Sequence, residues 1–285
     1  MDYTDSMIRS IEKMLKAHNY AGNCHQITLW LAQKLTDKSY AQLLTHNDEL
    51  SLGQKRQLEQ WIKELVEEYK PIQYIIGSVP FCDLDILVEP PILIPRPETE
   101  EWVVELISDS KNLSPLKILD LCTGSGCIAL ALAKAFREAR VIGSDISEQA
   151  IALAQKNKDK AQLENVTFIE SNLFEKITAQ KFDLIVSNPP YISEDEWRGL
   201  DPSVREWEDK CALSALDEGL FLIKKIINEV PNFLNDGGQL VLEIDRLQGE
   251  AVCTFMKSCG YTDVKIKKDF SRLDRVVTGR YVSVK

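Results

Sequence analysis

Lys117-Ile118-Leu119-Asp120-Leu121-Cys122-Thr123-Gly124-Ser125-Gly126-Cys127-Ile128-Ala129 is an apolar run that breaks into a glycine-bearing turn and resumes with helical composition. Read as strand, turn and helix start, it is the piece of the chain that fixes the fold class. Glycines at such a turn let backbone approach a ligand closely, and the N–H groups of the helix start face it. Asp145 ends the next apolar run, 25 positions beyond Asp120. A carboxylate there can accept both ribose hydroxyls of a bound nucleoside. Gly124-Ser125-Gly126-Cys127-Ile128-Ala129 also fits the loose dinucleotide pattern G-x-G-x-x-A, so a nicotinamide cofactor competes at this motif. Asp120 leans the other way, since a carboxylate ahead of the loop suits the cationic end of a cofactor rather than a pyrophosphate.

Outward from this turn, apolar runs recur at Lys117–Leu121, Arg140–Gly143, Val166–Ile169, Phe182–Val186 and Gln239–Ile244, with helical segments such as Ile128–Phe136 and Glu148–Lys158 between them. Strand-helix alternation with nearly continuous apolar strands predicts an α/β fold with a mostly parallel sheet covered on both faces. Thr262–Lys267 and Arg275–Val284 read as two further strands around a polar turn. Ahead of it all, Ile8, Ile11 and Leu15, then Ile27, Trp30, Leu31 and Leu35, then Leu58, Trp61, Ile62, Leu65 and Val66, keep helical spacing. Three divisions follow: a small helical domain over 1–70, a proline-rich hairpin or linker over 71–97, and an α/β domain over 98–285.

The fourth strand runs into Asn188-Pro189-Pro190-Tyr191. Proline has no N–H and a fixed φ, and a residue before proline is pushed to extended backbone, so the corner is stiff and its carbonyls point outward. The Asn188 amide adds an oxygen acceptor beside them. A ligand NH₂ could give one hydrogen to Asn188 and the other to the Pro189 carbonyl, with Tyr191 covering the adjoining plane. A simple turn at a strand end is the competing reading of the tetrapeptide alone. Asn172, with Leu173 beside it, follows the third strand where a side chain meets an adenine edge; an ordinary polar strand end explains it equally well.

Composition narrows the rest. With 285 residues, 44% hydrophobic and 27% charged, the chain is long enough for one large or two ordinary globular domains. A net charge of −10 weighs against a phosphate-gripping surface, so direct nucleic-acid binding is not expected. Met1–Asp5 lacks the layout of a signal peptide, and no apolar run approaches the roughly 20 residues a membrane helix needs. Seven cysteines without a Cys-x-x-Cys pair argue against a disulfide framework and a zinc site, and predict a reduced cytoplasmic protein with no bound metal. His18, His25 and His46 all lie in the first fifty residues, so chemistry further on does not use a histidine base.

Taken together, Asp120–Gly126, Asp145 and Asn188–Tyr191 resemble the class I S-adenosylmethionine-dependent methyltransferases, in a Rossmann-like fold. Within that class the tetrapeptide resembles enzymes that methylate planar amino groups, adenine in nucleic acids or glutamine in proteins. Ile94-Pro95-Arg96-Pro97-Glu98-Thr99-Glu100 is similar to the segment ahead of the catalytic domain in release factor glutamine methyltransferases; the sister family acting on a ribosomal protein typically departs from it. Val204–Glu208 with Ala212-Leu213, and Asp274–Val277 with Gly279-Arg280, resemble the same family's active-site loop and C-terminal end. The resemblance covers essentially the whole chain. It implies S-adenosyl-L-methionine as cofactor, held by Asp120, Cys122, Thr123, Gly124, Ser125, Gly126, Asp145, Asn172, Leu173 and Asn188. It implies peptide chain release factors as protein substrates, with the glutamine of their Gly-Gly-Gln loop gripped by Asn188, Pro189, Pro190 and Tyr191, and it gives the helical domain a substrate-binding role. Arg96 and Glu100 either close the pocket or simply serve a helix start, where Pro97 and acidic residues are favoured. Trp197, Trp207 and Arg205 read either as a lip for a protein substrate or as loop packing. Cys122, Asn172 and Asp209 depart from that family's usual glycine, aspartate and proline.

Overall fold

An apolar strand buried on both faces needs helices above and below it, and the chain supplies them in alternation. In a computed structural model, residues 5–18, 20, 22–45, 50–110, 116–178 and 180–282 are described. His46, the stretch ahead of Asp5 and the strand reading beyond residue 282 lie outside them. The chain divides into two compact units, one running to Gly77 and including Pro202–Trp207, the other formed by Ser78–Asp201 and the residues from Glu208 onward.

The first unit is helical: α1 (Asp5–Ala17), α2 (Cys24–Thr36), α3 (Tyr40–Thr45), α4 (Leu52–Glu67) and α5 (Ile72–Ile76). The apolar stripes read from the sequence meet in its core, where Ile11, Leu15, Leu31, Leu58 and Ile62 are fully buried. Ser51 starts α4 with a reciprocal capping box to Gln54, which satisfies two orphan backbone donors. The helical unit runs past the residue-70 boundary expected from the sequence. Pro71 stands at the head of α5 rather than ending the helical region, and Ile72 and Ile75 are buried in the same core.

The second unit opens with a hairpin, β1 (Ser78–Phe81) and β2 (Leu84–Leu87), followed after a proline-rich stretch by α6 (Pro97–Asp109). Then come β3 (Lys117–Leu121), α7 (Cys127–Ala135), β4 (Arg140–Asp145), α8 (Glu148–Ala161), β5 (Val166–Glu170) and β6 (Phe182–Ser187). After the short helices α9 (Glu194–Gly199), α10 (Pro202–Arg205, in the first unit) and α11 (Lys210–Leu213) come α12 (Phe221–Glu229), β7 (Leu234–Glu243), α13 (Gly249–Ser258), β8 (Tyr261–Lys268) and β9 (Asp274–Tyr281). The seven-stranded sheet has the order β5-β4-β3-β6-β7-β9-β8, parallel except for β9, which runs antiparallel to β7 and β8. Its core joins Leu119, Ile185, Leu240 and Leu242 to Ile223 and Ile226 of α12. Among the described residues no helix is long and apolar enough to cross a membrane.

From β3 the chain steps outward to β4 and β5, then returns to the other side for β6 and β7. The order reverses between β3 and β6, and ligands of open parallel sheets bind in the crevice beyond the strand ends at such a point. Leu121 pairs with Ser187 there, and the Ser187 hydroxyl donates to the Leu121 carbonyl at 2.8 Å. Cys122 and Asn188, the next residue of each strand, therefore emerge side by side.

Candidate active site

A cavity of about 240 Å³ lies beyond these strand ends. Cys122 and Gly124 contribute from the turn after β3, Asp145 and Ile146 from the end of β4, Asn172 and Leu173 from the end of β5, and Asn188 and Pro190 from the end of β6. The sequence stretches singled out above thus meet in one place.

Local backbone explains the turn. Gly124 takes φ +54°, and a Cβ there would meet nothing within 4 Å, so the space beside it is open. Its N–H donates to Asp145 Oδ2 at 2.9 Å, while Asp145 Oδ1 accepts from Ser147 N–H at 3.0 Å. The two carboxylate oxygens can accept about four hydrogens between them, so capacity for a ligand hydroxyl remains beyond the backbone donors. Burial raises the Asp145 carboxyl above its ordinary range, and the backbone donors oppose that rise. Gly126 serves packing instead: it sits at φ +82°, and a Cβ would come within 2.9 Å of the Phe168 ring. Thr123 and Ser125 are buried outside the cavity wall. The Ser125 carbonyl accepts from Asn157 Nδ2, which also bonds the Leu87 carbonyl and so ties the hairpin to this turn.

Asp120 departs from its sequence reading. Its side chain is fully buried and is turned to the start of α7, where Oδ2 accepts the Thr123 hydroxyl at 2.6 Å and the Ala129 N–H at 3.1 Å. Oδ1 has no protein partner, and burial pushes the carboxyl up to about 7. The residue builds the turn and is not part of the cavity wall. Cys122 holds φ +58°, a left-handed conformation that a side chain disfavours. Asn172 donates Nδ2 to Glu175 at 2.7 Å, which leaves its Oδ1 to accept a ligand N–H.

The proline corner is anchored at both ends. Asn188 Nδ2 donates to the Thr99 hydroxyl at 3.3 Å, and among the described residues no donor is bonded to its Oδ1. Pro189 is buried, and Pro190 beside it lines the cavity. The Tyr191 hydroxyl donates to Glu243 Oε1 at 3.1 Å, and its carbonyl accepts from Gln248 Nε2 at 3.0 Å. Burial, and then the Glu243 carboxylate beside it, push the Tyr191 phenol far above its ordinary value.

Arg96 and Glu100 are not brought to this cavity. Arg96 Nη2 donates to both carboxylate oxygens of Glu208, at 2.7 and 2.6 Å, and the Glu208 side chain is wholly buried. Glu100 accepts the Cys82 N–H of the hairpin turn at 2.6 Å. The lip reading fails for Trp197, which is 9% exposed with Lys210 over its ring, and Trp207 donates its indole N–H to the Glu68 carbonyl within the first unit. Sequence reading missed much of the opposite wall: Pro91, Ile92 and Leu93 from the proline-rich stretch, Cys211 and Ala212 of α11, and Leu222 of α12. Asp209, noted only as a departure, lies in it too; its N–H donates to the Pro91 carbonyl at 2.8 Å and joins the two segments. The proline cluster and the Ala212-Leu213 resemblance were the available signals.

The donor set fits S-adenosylmethionine. Asp145 offers acceptors for vicinal hydroxyls, Asn172 Oδ1 accepts from an amino group, and Ile146, 67% exposed at the cavity, offers an apolar face to a base. The fold and the site define a class I S-adenosylmethionine-dependent methyltransferase, and the comparisons agree. Residues 112–276 match the methyltransferase domain family, and residues 6–77 match the PrmC N-terminal domain. A methyltransferase from Pyrococcus furiosus shares the fold at TM-score 0.53 and 18% identity, over 70% of this chain and 90% of that one. The release factor glutamine methyltransferase of Geobacter sulfurreducens is 43% identical over 211 residues, 74% of this chain and 73% of the relative. That of Lactococcus lactis subsp. lactis is 42% identical over 237 residues, 80% and 86% respectively. The chain belongs to the release factor glutamine methyltransferase family.

Proposed function

We propose that the chain methylates the side-chain amide of the glutamine in the Gly-Gly-Gln motif of peptide chain release factors. The observation that carries the reading is the Asn188 amide, committed through Nδ2 to Thr99 and presenting Oδ1 as an acceptor at the cavity. Family membership supplies the substrate class; the corner's chemistry supplies the planar NH₂.

The cofactor, when bound, supplies a methyl group on a cationic sulfur. Asp145 would hold its ribose hydroxyls, Asn172 its amino edge and Ile146 one face of its base. Asn188 Oδ1 and the Pro189 carbonyl would take the two hydrogens of the incoming amide. An amide nitrogen is a poor nucleophile because its lone pair is delocalised, and two fixed acceptors favour its pyramidalisation. They also stabilise the positive charge that builds on nitrogen, without reorganising. The rest of the acceleration is positioning. The excess proton can leave after transfer, so no general base is required.

The helical unit is the part we assign to release factor recognition, and the net charge of −10 supports a protein acceptor over nucleic acid. The seven free cysteines support a reducing cytoplasmic setting. Incubation with labelled S-adenosylmethionine and three acceptors, a release factor, a ribosomal protein and duplex DNA, tests the reading. Label is expected on the release factor alone, at the Gly-Gly-Gln glutamine by peptide mapping. Label confined to the ribosomal protein or the DNA would refute it.

A further inference from the structure

Glu243 is the last residue of β7, was not singled out by any motif, and is 1% exposed. A buried carboxylate requires donors. Its Oε2 accepts the Trp102 indole N–H at 2.7 Å and the Thr99 hydroxyl at 2.7 Å, and its Oε1 accepts the Tyr191 hydroxyl at 3.1 Å. Burial raises its carboxyl above the ordinary range, and these three donors and the charge of Arg275 oppose that rise. One carboxylate thereby touches the second residue after Pro97 in α6 and the final residue of the Asn-Pro-Pro-Tyr corner.

The direction of the bonds has a chemical consequence. A hydroxyl carries one hydrogen. Thr99 spends it on Glu243 Oε2, at 2.7 Å. Its oxygen can then only accept from Asn188. Of the two ends of the Asn188 amide only Nδ2 can serve, so Oδ1 is turned to the ligand side. An inverted amide would present two N–H donors to an incoming NH₂, a repulsive pairing.

We infer that Glu243, acting through Thr99, is the positioning residue that fixes the polarity of the Asn188 amide, and so makes the site accept N–H donors such as a carboxamide and reject a carboxylate. The inference rests on the reading of Asn188 given above. Neither Thr99 nor Glu243 lines the cavity, so they act through Asn188 and not on the substrate.

The test uses the full chain with Glu243→Gln, Thr99→Val, Thr99→Ser and Asn188→Ala. Turnover on a release factor, cofactor affinity by calorimetry and the side-chain ¹⁵N amide signal of Asn188 are read for each. Thr99→Val removes both hydrogen bonds of the hydroxyl and Glu243→Gln disturbs the one that orients it; losing the fixed acceptor at Asn188 predicts a fall in kcat of about ten- to a hundredfold in each. Cofactor affinity should stay within about threefold of wild type, since uniform binding is untouched. Thr99→Ser keeps the hydroxyl and should restore turnover to within about threefold. In Thr99→Val the Asn188 amide protons should exchange faster with solvent. Thr99→Val is isosteric, so it decides the matter if Glu243→Gln does not fold. Wild-type kcat in Thr99→Val alongside an inactive Asn188→Ala would overturn this inference alone. An active Asn188→Ala would overturn the reading beneath it. A parallel loss of cofactor affinity in Thr99→Val and Glu243→Gln would reduce both residues to supports of the fold, and overturn the inference as well.

Discussion

Two polar side chains at strand ends, Asn188 and Asp120, face opposite demands. Asn188 must keep an acceptor open to a ligand, so its loss should be felt in turnover and not in cofactor binding. Removing one buried acceptor costs about 1–3 kcal/mol, so Asn188→Ala should lower kcat at least about tenfold. Calorimetry that found cofactor binding lost, with normal turnover per bound complex, would contradict this. Asp120 must instead be tolerated as a buried carboxyl with one unpartnered oxygen. Its carboxyl rises from an ordinary 3.8 to about 7 on folding, so between those values the native state holds more proton than the unfolded state. Stability then declines as pH rises through that window. Asp120→Asn removes the titration, and in the ligand-free protein its melting temperature relative to wild type should climb from pH 4 to pH 7. Thermal melts showing a pH-independent offset would rule this out.

Among the elements, the loop between β6 and α12 carries the site's most demanding backbone contact. Gly219 holds φ +81°, and a Cβ there would fall 1.8 Å from the Tyr191 carbonyl oxygen, which backbone cannot yield. Gln248 bonds the same carbonyl and that of Glu218, so the glycine and the proline corner are one packed unit. Gly219→Ala should destabilise the protein by at least about 2 kcal/mol and reduce turnover together, a paired effect visible in denaturant titration and rate assays. Ala at this site with unchanged stability would show that the corner is not clamped. The Arg96–Glu208 pair is the second such joint. Glu208 is wholly buried in its side chain and also takes a backbone donor from Ile94, so removing Arg96 strands a carboxylate. Arg96→Ala should cost about 3 kcal/mol, and Arg96→Met combined with Glu208→Leu should recover most of it. Denaturant midpoints arranged as a double-mutant cycle check this; additive losses would mean that the two do not depend on each other.

At the scale of the whole molecule, net charge bears on the class of partner. A chain with 44 acidic against 34 basic residues gains little from counterion release on a nucleic acid backbone. Gel-shift assays with duplex DNA near physiological salt should therefore show no retention. Retention that weakens with added salt would reopen an adenine acceptor.

The sheet was legible from sequence because its central parallel strands are buried on both faces: Lys117–Leu121 and the run at Phe182 announce themselves by near-continuous apolarity, and the residues closing each strand follow at once. Asp145, Asn172 and Asn188 could be placed at strand ends on the same side for that reason, since a parallel sheet delivers all its strand ends to one side. The helical stripes of α1, α2 and α4 were readable by the same rule of period. Direction of a side chain was not. Asp120 and Glu100 turned to backbone donors at α7 and the hairpin rather than to the cavity, and Pro91 and Asp209 became wall residues only because a backbone hydrogen bond joined segments 118 positions apart. Glu243 lay outside every local pattern: its importance comes from β7 lying beside β6, with Thr99 and Trp102 arriving from more than 140 residues earlier. Sequence determines what each strand end carries, because periodicity and burial are local; which buried acceptor holds which donor is decided only when distant elements pack.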